Sequence, residues 1–92
     1  MIYTVKRTSQ FKKDYKAALR RNLDMKLLDD VIAMLANGQT LPQQYKDHPL
    51  KGNYKGHREC HIQPDWLLVY RLKKEILVLL LVQTGKHNEL FE

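Results

Sequence analysis

Apolar residues recur at helical spacing through the first third of the chain and then, beyond Gly56, gather into short strand-like runs. The opening MIYTVKR places β-formers at Ile2, Tyr3, Thr4 and Val5 and predicts a first strand, after which Thr8 or Ser9 can cap a helix. That helix carries Phe11, Tyr15, Ala18 and Leu19 on one face and Lys12, Lys13, Lys16 and Arg20 over the rest of its surface. A second helix is predicted from an N-cap at Asp24, with Leu27, Leu28, Val31, Ile32 and Leu35 as its buried stripe and Gly38 as its stop. Between Gln39 and Gly56 the prolines and glycines interrupt any period, and a loop of that length in a small chain is often functional. HRECHI (57–62), WLLVYRL (66–72) and EILVLLLV (75–82) then read as three strands joined by tight turns, which makes them antiparallel neighbours. The last run is apolar throughout and is expected inside the sheet with both faces covered. The order of elements predicts an α+β sandwich: a helix hairpin on one face of an antiparallel sheet, with the other face available for function.

Length and charge narrow the classes. Ninety-two residues suffice for one domain, spanning 1–92, around a single core. No window approaches the roughly 18 to 20 apolar residues of a membrane span, so no membrane association is expected. The first residues lack the apolar core of a secretory signal and Cys60 is the only cysteine, which points to a reducing cytoplasm. The net charge of +6 is polarised: between Lys6 and Lys26, eight basic residues face only Asp14 and Asp24. Such asymmetry fits a polyanionic partner, although a solvated helix face explains it about as well.

The candidate chemistry lies in the C-terminal half. His48, His57, His61 and His87 fall there, three of them at the ends of elements, and Asp65 follows His61 across the turn made by Pro64. Histidine suits proton transfer near neutral pH, and a carboxylate beside it orients the ring. A metal site is disfavoured, because the four histidines and Cys60 show no metal-ligand spacing. Cys60 shares its strand face with Ile62 and reads as a small core residue rather than a nucleophile. Each histidine taken singly is most simply a polar surface residue. Taken together with a basic helix, a carboxylate and terminal aromatics, they suit metal-free and cofactor-free RNA cleavage. A base there removes the ribose 2′-OH proton, an acid protonates the 5′-leaving oxygen, and cations stabilise the phosphate. Trp66 and Phe91 offer rings for base stacking.

The stretch YKDHPLKGNYKGHRECHIQPDWLLVY (45–70), with TGKHNELF (84–91), closely resembles the YafQ branch of the RelE/ParE toxin superfamily. The resemblance implies a bacterial toxin–antitoxin endoribonuclease that cleaves mRNA on the ribosome at codons in the aminoacyl site. It also implies a small antitoxin as partner, which carries most contacts to promoter DNA. By motif, His48, His61, Asp65 and His87 fall on the acid/base and phosphate-contacting set, and Trp66 and Phe91 on aromatics that support the site or hold bases. Gln83 departs from relatives with an arginine there, so that phosphate stabilisation falls to a histidinium, Arg58, Lys86 or another group. Two further readings stay open: a gyrase-directed toxin of the same superfamily, and a basic RNA- or ribosome-binding module that does not cleave.

Overall fold

The helical layer begins at Thr8. Its hydroxyl accepts from the Phe11 amide at 3.0 Å, capping a helix, α1 (Ser9–Arg20), and donates to the Val82 carbonyl at 2.6 Å, tying that cap to the sheet. Asp24 caps α2 (Met25–Ala36) through the Lys26 amide at 3.2 Å. The helix ends at Gly38, whose φ of +74° is left-handed and where a Cβ would fall 2.8 Å from Cδ1 of Ile2, so a side chain is excluded on both counts. The computed structural model describes residues 1–90, except the side chain of Glu89.

Five strands form one sheet in the order β1-β5-β4-β3-β2: β1 (Thr4–Arg7), β2 (His48–Pro49), β3 (Arg58–Gln63), β4 (Trp66–Lys73) and β5 (Val78–Gly85). A short helix, α3 (His87–Leu90), follows. The meander β3-β4-β5 is antiparallel as expected, but β1 runs parallel to β5, so the sheet is mixed. Parallel neighbours need a long crossover, and here two helices and three strands intervene between them. The two-residue edge strand β2 was not anticipated, because a run containing Pro49 in a loop carries no strand signal.

Phe11 and Ala18 of α1 and Leu28, Val31 and Leu35 of α2 bury against Cys60, Ile62, Trp66, Leu68, Tyr70, Leu79 and Leu81 of the sheet. Each large apolar side chain removed from water in this way contributes about 1.5–3 kcal/mol. Leu19, expected in the stripe of α1, is exposed instead. The expectation that β5 is covered on both faces also fails. Leu79, Leu81 and Thr84 are buried, while Val78, Leu80, Val82 and Gln83 are half-buried, because helices pack on one side only. The most deeply covered strand is central β4, where Leu67 and Val69 face away from the helices and are still 1% and 0% exposed, although Arg71 beyond them is exposed. The β4–β5 connection is longer than the expected Lys73-Lys74 turn and takes in Ile76 and Leu77, both exposed. The Leu77 carbonyl there accepts from the Thr4 amide at 2.8 Å and anchors the start of β1.

Candidate active site

Strand alternation builds the site. In β3, Cys60 and Ile62 face the helices, so Glu59 and His61 face the other way. Register extends that face across four strands: His48 of β2 pairs with Glu59 of β3, Glu59 with Val69 of β4, and Val69 with Gln83 of β5. The neighbouring row runs from His61 to Leu67 to Gly85, two residues before His87.

Glu59 is the centre of this arrangement. Its Oε1 lies 3.5 Å from His48 Nε2 and 3.7 Å from His61 Nε2, and its side chain is 7% exposed against 46% and 27% for the two histidines. The two imidazole centroids are 6.5 Å apart. Both Nε2 atoms therefore face one largely buried carboxylate. His48 Nδ1 lies 2.7 Å from the Lys46 carbonyl, which can only accept, so Nδ1 carries the proton and Nε2 is left for chemistry. Lys46 reaches that position through a left-handed backbone, φ 49°.

The other expected residues divide. Asp65 is not the partner of His61: it sits on the exposed turn, its Oδ2 4.0 Å from Lys86 Nζ, and Glu59 takes the place at the ring. That contact joins the β3–β4 turn to the residue preceding His87, which is exposed at the start of α3. Tyr54 donates to the Leu90 carbonyl at 3.3 Å and so ties α3 to the 52–56 loop.

Trp66 is 3% exposed, and its indole N–H donates to Thr84 Oγ1 at 2.9 Å; the ring belongs to the core and offers no face to a base. Phe91 lies outside the described residues. Arg58 is on the helix side of β3, where Nε and Nη2 donate to Asp47 Oδ2 at 3.2 and 3.0 Å, so its charge is taken up within the fold. Lys12, Lys13, Lys16 and Arg20 are all exposed on α1, which packs on the opposite face of the sheet from the histidines. The structure therefore separates the basic helix from the candidate acid/base groups.

Two residues of the face were missed in the sequence. Glu59 was legible through alternation from His61, and Arg71, exposed and two residues beyond Val69 on the same face of β4, through alternation in the next strand. Gln83, in the row of His48 and Glu59, has its Nε2 buried without a hydrogen-bond partner among the described residues. Cys60 is buried in the core, and desolvation pushes its thiol up to about 12, as fits a packing residue rather than a nucleophile. Among the described residues no group of three or more His, Cys, Asp or Glu is placed to hold a metal ion, and no helix is long and apolar enough to cross a membrane.

Comparison with known proteins adds to this geometry. The mRNA interferase toxin YafQ of Escherichia coli K12 is 42% identical over 85 residues, covering 91% of this chain and 90% of that protein. The crystal structure of a metal-bound toxin from Helicobacter pylori superposes with a TM-score of 0.91 at 48% identity, over 97% of this chain and 99% of that one. The toxin chain in the E. coli DinJ–YafQ toxin–antitoxin complex superposes at 0.90 with 39% identity, over the whole of both. A helix-backed mixed sheet with histidines on its open face is thus the build of a small bacterial toxin. The chain belongs to the YafQ family, toxins of bacterial type II toxin–antitoxin systems, whose family model matches residues 3–92.

Proposed function

We propose that this toxin is an mRNA interferase, an endoribonuclease in which His48 and His61 exchange protons with the RNA. The observation that carries the reading is the Glu59 carboxylate set between their two Nε2 atoms on an accessible sheet face. One imidazole takes the proton of a ribose 2′-OH, O2′ bonds to the adjacent phosphorus, and the P–O5′ bond breaks. The protonated partner or His87 gives its proton to the departing 5′ oxygen, leaving a 2′,3′-cyclic phosphate and a 5′-hydroxyl. Glu59 stabilises whichever ring carries the proton. With Arg58 occupied by Asp47 and Gln83 neutral, the charge on the phosphate comes from Arg71, Lys86 and the histidines. Asp65 serves this reading by holding Lys86 at the rim.

The substrate in this reading is mRNA on the ribosome, with Lys12, Lys13, Lys16 and Arg20 contacting ribosomal phosphates from the far side of the molecule and leaving the histidine face to the message. The partner is a cognate antitoxin with acidic or amphipathic segments, as charge complementarity to a +6 chain favours, and the antitoxin supplies most contacts to promoter DNA. The site of action is the cytoplasm. In this reading the histidines carry the proton transfers and no metal takes part. The histidine–glutamate set favours cleavage over a binding-only or gyrase-directed toxin, neither of which needs it.

Primer extension on a reporter mRNA tests this in cells expressing the wild type, His61→Gln or Glu59→Gln, with translation of the reporter on or off. The expected result is discrete in-frame cuts that need translation and fall about 10²- to 10⁴-fold in either variant. Growth arrest with intact mRNA, or undiminished cuts in both variants, would overturn it.

A further inference from the structure

The strand that presents His48 is held by few backbone hydrogen bonds. β2 has two residues and lies at the sheet edge, where its pairing with β3 continues only to the Leu50 amide, which donates to the His57 carbonyl at 2.9 Å. Yet the residue before His48 is among the most firmly held polar groups in the chain. Asp47 Oδ1 accepts from the Tyr70 hydroxyl at 2.5 Å, and Asp47 Oδ2 accepts from both Nε and Nη2 of Arg58. Tyr70 is 1% exposed in the central strand, so its hydroxyl is a fixed point in the core. Pro49 pairs with Arg58 and His48 with Glu59, which puts the clamp directly behind the pair of groups on the open face. The Asp47–Arg58 contact also raises the guanidinium above its ordinary range, chiefly through the hydrogen bond to Asp47.

We propose that Asp47, Arg58 and Tyr70 form a positioning clamp that acts through the sheet, holding the 46–48 backbone so that His48 keeps its Nδ1–H on the Lys46 carbonyl and its Nε2 toward Glu59. The inference rests on the ribonuclease reading for its effect on rate, but the ring orientation itself does not depend on that reading. Three donors on one carboxylate add to the few ladder hydrogen bonds that so short a strand makes. None of the three residues touches the RNA; each acts on His48.

The test combines imidazole NMR with kinetics on wild type, Tyr70→Phe, Asp47→Asn and the control Tyr15→Phe, which removes a hydroxyl beside another aspartate, Asp29, on the helical layer. Two-bond ¹H–¹⁵N correlations report the tautomer of each neutral ring. His48 is expected wholly Nδ1–H in wild type and Tyr15→Phe, and in a mixture of tautomers in Tyr70→Phe and Asp47→Asn, with His61 unchanged. On programmed ribosomes the clamp variants should lose about 10- to 100-fold in the rate at saturating toxin while the half-saturating concentration stays within about twofold, the pattern of a misplaced rather than missing group. An unchanged His48 tautomer in both clamp variants, or equal disturbance of His48 and His61, would overturn the clamp. A wild type that cleaves nothing while the ring signals behave as expected would overturn the ribonuclease reading alone.

Discussion

Substituting Trp66 separates the two roles that an aromatic at this position can have. In the structure its ring is buried among core residues and its N–H is satisfied by Thr84 Oγ1, which in turn donates to the Leu67 carbonyl at 2.6 Å. Trp66→Phe therefore removes a neutral buried hydrogen bond, worth about 1 kcal/mol. It also withdraws roughly two carbons of buried surface, worth about 1 kcal/mol at about 25 cal/mol per Å². The void left behind, on the order of 40 Å³ at about 24 cal/mol per Å³, adds about 1 kcal/mol. The expected loss is about 3 kcal/mol, a large share of the roughly 5–14 kcal/mol of a chain this size. Urea unfolding followed by far-ultraviolet circular dichroism measures it, since the substitution deletes the only tryptophan; the midpoint should fall with the slope unchanged. Below the melting transition, the affinity for a fluorescent single-stranded RNA should stay within about twofold. A stacking platform would behave oppositely: little stability lost, but about 1–3 kcal/mol of binding, or roughly 5- to 150-fold in Kd. Stability changed by less than about 1 kcal/mol together with such a loss of affinity would refute the burial argument.

Two further outcomes follow from charge and protonation. Burial, then the Asp47 contact, raises the Tyr70 hydroxyl above its ordinary 10.0, and burial pushes the Cys60 thiol from 9.0 up to about 12. The unfolded chain thus releases these protons first, so stability is intact below pH 9 and falls as the pH rises from 9 toward 12; the fall should be shallower in Cys60→Ala and in Tyr70→Phe when thermal melts are compared between pH 8 and 11. Replacing Lys12, Lys13, Lys16 and Arg20 with glutamine should weaken binding to ribosomes and flatten its dependence on salt, by about 0.7 in the log–log slope for each phosphate that is no longer neutralised. Cleavage at saturating toxin should hardly change, because these cations lie across the sheet from the histidines.

Much of this molecule is legible along the chain because its determinants are local. The caps at Thr8 and Asp24, the stop at Gly38, the turn at Pro64-Asp65 and the alternation that buries Cys60 and Ile62 depend on near neighbours, and the motifs around His48 and His61 mark those residues in advance. Which groups meet is a different matter, since contacts between strands are set by register and by which side the helices cover. Spacing joined His61 to Asp65, four residues away across a turn; the pleat joined it instead to Glu59, two residues away on the same face. The charge of Arg58 and the ring of Trp66 looked available in the sequence, and only packing revealed a carboxylate from position 47 under one and a threonine from position 84 under the other. The parallel pairing of β1 with β5 and the placement of the basic helix behind the sheet were likewise decided in three dimensions. Local propensity reaches only a few residues along the chain, whereas the site is assembled across four strands by hydrogen-bond register, and register is a property of the whole sheet.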